Sequence, residues 1–345
     1  MPSTLHSRGR RALRMATGTA LCVAISFALD LPIPVIAPVF AVFLLATQPR
    51  PLTLKAGLAL ALMVAATTGS GLLLVPLLRY YPAAGVLLVG LGLFLAFDYG
   101  LRGGNNLVAT FLAAGLTMIT AAGTADFQLG VTVTGALVKG LLLAVWVSVV
   151  SHVLFPEQPV QRPPAGSTAI PDEQARRSRR IALRAALVVM PAWLLAMNDP
   201  ASYMPIIMKS VSLGRQSCAT SARDAARELL GSTLLGGLLA IVFWFALRLF
   251  VNLWMFYLWM VLFGLLVGRK LYRISPTRYS PGFWLNGLVT LIILLGQSVQ
   301  DSAAGKDVYT AFAVRMGLFL VVTVYACGVL LLFEQFGHRD DPVPG

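Results

Sequence analysis

The chain has 345 residues, 57% of them hydrophobic and only 12% charged, with a formal net charge of +13 and a mean hydropathy of +0.78. A single soluble core of this length does not hide that much apolar side chain, so the composition points to a polytopic membrane protein and away from a soluble enzyme. Cys22, Cys218 and Cys327 are scattered, and they provide neither a disulfide framework nor a metal cluster.

A basic tail with Arg8, Arg10, Arg11 and Arg14 leads into the first apolar stretch, 15–29. It reads as a retained span and not as a cleaved signal. The run before Asp30 offers no convincing small-x-small cleavage site, and Pro32, Pro34 and Pro38 run straight into the next stretch, 33–48. Further stretches follow at 54–78, 83–99, 106–123 and 129–155. After a proline-rich segment come 181–197, 202–214, 228–251, 253–268, 283–299 and 308–333. Crossing about 30 Å of hydrocarbon takes roughly 20 helical residues, and a chain in lipid must satisfy its own backbone hydrogen bonds. The runs lack the alternation of a membrane barrel, so the expectation is an all-α protein with about twelve transmembrane helices. The stretches 15–29, 33–48 and 202–214 are short, and the last two contain proline.

Charge sets the expected topology. With the N-terminus in the cytoplasm, most of the 27 basic residues fall on alternate, cytoplasmic loops and tails. Arg79, Arg248 and Lys306 fall outside, while Lys139, Lys209 and Arg315 lie within or at the edge of spans. The positive charge is therefore mostly topology, and no basic soluble domain supports nucleic-acid binding. Both termini are expected in the cytoplasm of a bacterial cell, with the chain in the inner membrane.

The two halves resemble each other. Arg11-Ala12-Leu13-Arg14 opens one and Arg180-Ile181-Ala182-Leu183-Arg184 opens the other. Pro38 and Pro205 both fall in the second span of their half, and Asn106-Leu107-Val108-Ala109-Thr110 matches Asn286-Gly287-Leu288-Val289-Thr290. The resulting layout is a basic tail (1–14), a first six-helix repeat (15–155), a cytoplasmic linker (156–180), a second six-helix repeat (181–333) and a short cytoplasmic tail (334–345). Six crossings before the linker make the repeats parallel, and transporters commonly place ligand sites between such repeats.

The basic A-L-R opening, the short proline-containing second span and the Gln-plus-basic loops (Gln48-Pro49-Arg50, Arg215-Gln216) are followed by small residues such as Gly69, Gly71, Gly236 and Gly237. This pattern resembles the fusaric acid resistance and aromatic acid exporter group, in particular its compact DUF2955-type members. The resemblance implies an inner-membrane efflux component for organic acids or related toxic compounds, working with a periplasmic adaptor of the HlyD type. Larger exporters of the group carry a substantial cytoplasmic region that this chain replaces with 156–180. No residue role transfers from the group.

Charges within apolar spans are costly and default to functional hypotheses. Lys209, four residues after Pro205, is a candidate to bind an anionic substrate beside a proline-interrupted helix; its plain reading is a side chain snorkelling to the interface. Lys139 and Arg315 recur in the last span of each half before Gly140 and Gly317, and they would line a basic path or be neutralised by Asp126 and Asp307. Asp98 is a candidate for proton coupling, or else a partner of Arg102. Asn105, Asn106 and Asn286 would bond a substrate or a neighbouring helix. His152 reads as interfacial, and the aromatic group from Phe243 to Trp259 as a membrane-interface belt.

Enzymatic readings find no support: the sequence has no HExxH, Walker A or GxSxG motif, and no cofactor is expected. The expected function is gradient-driven export of organic, including aromatic, acids. The alternative is a passive anion channel or a non-transporting membrane scaffold. Expected partners are a small organic anion, the lipid bilayer, the adaptor and further copies of the chain.

Overall fold

The computed structural model describes residues 2–48, 54–104, 106–156, 172–217 and 222–337. The described residues form helices and connecting turns, with no strand among them. The helices in chain order are α1 (Pro2–Ala28), α2 (Ile36–Thr47), α3 (Leu54–Tyr80), α4 (Pro82–Leu101), α5 (Asn106–Ala125) and α6 (Phe127–Leu154). They continue with α7 (Asp172–Asn198), α8 (Pro200–Ser217), α9 (Ala222–Leu249), α10 (Leu253–Leu271), α11 (Pro281–Ala303) and α12 (Val308–Gly337). Each apolar stretch of the sequence coincides with one helix.

Among the described residues, nine helices are long and apolar enough to cross a membrane, against about twelve expected. The three that fall short are α1, α2 and α8, which carry the short stretches 15–29, 33–48 and 202–214. In α1 the apolar run is diluted by Arg11, Arg14, Thr17 and Thr19. With 12 residues, α2 extends about 18 Å at 1.5 Å per residue, well short of the hydrocarbon core. Polar Lys209, Ser210, Ser212 and Arg215 interrupt α8.

The chain folds into two compact units that do not coincide with the sequence halves. The first contains α1, α2, α10 and α11, and the second α4, α5, α7 and α8. The remaining helices contribute to both, α3 dividing after Met63, α6 after Thr134, α9 after Leu234 and α12 after Phe312.

In the first unit α1 packs on α10 and α2, and α11 packs on α10 and α2. Small residues set the α1–α10 approach. A Cβ at Gly264 would lie 3.1 Å from the Cα of Ala16, and one at Gly268 would lie 3.3 Å from the Cβ of Ala12. Four-residue spacing of small side chains on both helices lets the backbones close up. Behind this seam Phe243 is buried between Phe256 and Phe263, with ring centroids 5.8 and 5.0 Å away, and Phe27 meets Phe256 at 5.3 Å. Phe243 and Phe256 are therefore core, while the other members of the aromatic group, Trp244, Phe245, Trp254, Tyr257 and Trp259, are half-buried or exposed.

The second unit repeats the pairing with other helices: α7 packs on α4 and α8, and α5 packs on α4 and α8. Replacing α1, α2, α10 and α11 by α7, α8, α4 and α5 reproduces every helix pair of the first unit. The helix ends agree in detail. After α4, Gly103 takes a φ of +88°, and the Gly104 amide bonds the Tyr99 carbonyl at 3.0 Å. After α10, Arg273 takes a φ of +53°, and the Ile274 amide bonds the Arg269 carbonyl at 2.9 Å. Both are Schellman-type stops with one left-handed residue, and corresponding atoms lie 170 residues apart in sequence.

The short helices α2 and α8 are interior elements, and so is the middle of α11, where residues 286–296 are buried without a break. Residues 36–45 and 204–214 are buried on every side, so no amphipathic stripe is needed. Neither proline breaks its helix, contrary to the expectation from sequence. Pro38 sits in the first turn of α2, where a missing N–H costs nothing, and α8 continues through Pro205 to Ser217.

Candidate functional site

The two short interior helices, α2 and α8, differ in chemistry. From residue 36 to 45, α2 is apolar throughout, whereas α8 places Lys209, Ser210 and Ser212 in its buried stretch. Lys209 has 0% exposure. That excludes the snorkelling reading, because an ammonium reaching the interface would show surface.

The helices packed against α8 add hydroxyls to the second unit. On α5, Thr110, Thr117 and Thr120 are buried, and on α7 so is Trp193. The Thr117 hydroxyl donates to the Ala113 carbonyl at 2.7 Å and that of Thr120 to the Leu116 carbonyl at 2.6 Å. The Ser210 hydroxyl likewise donates to the Ile207 carbonyl at 2.9 Å. Satisfied by their own helices, these hydroxyls keep oxygen lone pairs for further donors. A buried ammonium in such an interior is suited to holding a carboxylate or another compact anion.

The other candidate residues are dispersed. Lys139 is exposed and belongs to the first unit, while Arg315 is half-buried and belongs to the second. A Cβ at Gly140 would lie 2.9 Å from the Ile36 side chain and 3.3 Å from the Ala37 nitrogen, so this glycine seats α6 against the start of α2. Gly317 faces open space and plays no such part. Asp126 and Asp307 do not neutralise the two cations. Asp126 accepts the Gln128 amide at 3.0 Å and Asp307 accepts the Tyr309 amide at 3.1 Å, capping α6 and α12 in the same way.

Asp98 is buried near the end of α4, and its Oδ2 lies 2.7 Å from Nε of the more exposed Arg102. Its Oδ1 is shielded and makes no hydrogen bond among the described residues. Asn286 is buried in α11, and its carbonyl accepts the Thr290 hydroxyl at 2.7 Å. Asn106 begins α5, its side chain lying outside the described residues together with Asn105. His152 is buried near the end of α6, with Nδ1 2.7 Å from the Ser148 carbonyl.

Sequence reasoning missed two features. Arg14, counted with the cytoplasmic charges, is 1% exposed. Its signal was helical spacing: it shares the buried stripe of Ala12, Met15, Ala16, Thr19 and Cys22. The Trp193 indole, which donates to the Thr120 hydroxyl at 2.9 Å, had no signal, since nothing in the sequence brings α5 and α7 together.

No curated protein and no solved structure matches the chain. Residues 11–151, which end within α6, are similar to a family described as a protein of unknown function, DUF2955.

Proposed function

We propose that this multi-pass helical protein is a bacterial inner-membrane transporter that exports small organic anions, aromatic carboxylates among them, driven by a proton or electrochemical gradient. The observation that carries the reading is the fully buried Lys209 in α8, which supplies a cation at an interior helix of a membrane-type fold. An internal duplication supports it. The same helix pairs recur in both units, one helix stop recurs 170 residues apart, and the family match ends within the last helix of the first half. Two parallel repeats with cytoplasmic termini are a common transporter plan.

Lys209 binds the substrate anion, with Arg315 of the same unit as a further basic group, and Asp98 carries the coupled proton. The fusaric acid resistance and aromatic acid exporter resemblance fits this chemistry, as does a periplasmic adaptor of the HlyD type that receives the exported acid.

Uptake of radiolabelled benzoate and salicylate into inverted membrane vesicles tests the reading. The expected result is uptake that an uncoupler abolishes and that Lys209→Ala lowers at unchanged membrane abundance. Flux that persists without a gradient would identify a passive anion channel. No flux of any tested acid would leave a scaffold and overturn transport.

A further inference from the structure

Where α1 and α10 close on each other through Gly264 and Gly268, the matching pair α7 and α4 does not. At the same 170-residue spacing Ala12 and Ala16 become Ala182 and Ala186, but Gly264 and Gly268 are replaced by Phe94 and Asp98. Phe94 stands at the α4–α7 seam, and a groove of about 550 Å³ remains between the two helices. Its walls are apolar: Leu87, Leu91 and Phe94 on α4 face Leu183 and Leu187 on α7. Gly90 and Met190 form its floor, a Cβ at Gly90 lying 3.6 Å from the Met190 methyl. Leu87 is 73% exposed and Leu91 50%, so the groove opens to the outer surface of the helices.

Two arginines border the apolar groove. Arg179 and Arg180, both exposed, line it beside the leucines. They stand at the beginning of the apolar span of α7, Ser178–Asn198, the level at which a bilayer changes from headgroup to acyl chain. An apolar channel of hydrocarbon width with two guanidiniums at its headgroup end is complementary to one kind of molecule: a phospholipid with an anionic head. We infer that the α4–α7 groove is a binding site for a single anionic phospholipid, its acyl chain lying along Leu87, Leu91 and Leu183 and its phosphate held by Arg179 and Arg180.

Each guanidinium donates to phosphate oxygens, and the pair can engage the phosphate in bidentate fashion. The site is independent of Lys209 and of transport. It lies in the second unit; at the matching seam of the first, Gly264 and Gly268 bring α10 close onto α1.

Native mass spectrometry of the full chain in detergent, titrated with palmitoyl-oleoyl phosphatidylglycerol and with the phosphatidylcholine of the same chains, tests the assignment. One phosphatidylglycerol should bind ahead of any phosphatidylcholine. The double substitution Arg179→Gln/Arg180→Gln should lower that affinity by roughly thirtyfold, since each basic residue near an anionic headgroup contributes about a factor of five. Gly90→Leu, which fills the floor, should weaken both lipids while leaving the arginines in place. Because the two arginines are surface residues, the first variant remains informative if the second does not fold. Equal binding of the two lipids, unchanged phosphatidylglycerol binding in the arginine variant, or displacement of the lipid by inorganic phosphate or benzoate alone would each overturn the assignment.

Discussion

The indole nitrogen of Trp193 donates a 2.9 Å hydrogen bond to the hydroxyl of Thr120, tying α7 to α5 inside the second unit. Trp193 is fully buried, so it contributes both a polar tie and a large packed surface. Trp193→Phe should cost about 0.6–1.7 kcal/mol, the range of interhelical hydrogen bonds in membranes, and Trp193→Ala about 3–5 kcal/mol. Unfolding of the purified chain in mixed micelles titrated with dodecyl sulfate measures both.

Gly264 and Gly317 make a matched pair for testing the α1–α10 seam. Gly264→Leu forces a side chain where a Cβ already meets Ala16 at 3.1 Å, and it should destabilise the chain by about 1–3 kcal/mol or more. Gly317→Ala adds a methyl to open space and removes a poor helix former, so its midpoint should stay level or rise. Equal loss from both substitutions would mean that the seam is not close-packed.

The Asp98–Arg102 pair should behave as a charge with its counter-ion. Arg102→Ala leaves a buried carboxylate without its cation, whereas adding Asp98→Asn removes that charge and should recover part of the loss. Arg102 is more than a third exposed, so the coupling in a double-mutant cycle should be about 0.3–1 kcal/mol. If Asp98 carries the coupled proton, Asp98→Asn alone abolishes gradient-driven benzoate uptake at unchanged abundance.

Asp307 provides the pH dependence at the start of α12. The Thr310 hydroxyl, with the Tyr309 and Thr310 amides, holds its carboxyl below the ordinary aspartate value. A carboxyl depressed in the folded state stabilises the fold at and above the ordinary aspartate range, and the contribution is lost as pH falls through the folded value. The beginning of α12 should therefore be insensitive to pH from neutrality down to about 4, and should fray only in stronger acid. Amide hydrogen exchange at Tyr309 and Thr310 follows this. Asp307→Asn should remove the acid step.

Much of the helix plan was legible because burial in lipid demands long apolar runs, and twelve such runs mark twelve helices. Crossing was less legible. A helix such as α2 is apolar because protein surrounds it, and composition alone does not separate that case from a lipid-facing span. The same limit hid Arg14, whose charge suggested a loop although its spacing placed it on the buried stripe. Lys209 stood out because a lone ammonium in an apolar segment is rare. The division of Lys139 and Arg315 between units had no signal, since pairing across the chain depends on contacts more than a hundred residues apart.

The interleaving of the halves also governs how the chain must be made. The first unit needs α10 and α11 from the second half, and the second unit needs α4 and α5 from the first. During synthesis α1 and α2 are therefore made long before α10 and α11, their other partners in the first unit, and the buried Arg14 of α1 waits without a finished interior. Assembly of either unit is a late event that follows insertion. A ribosome stall or a nick near the middle of the chain would leave two incomplete units, neither of which is half a working protein.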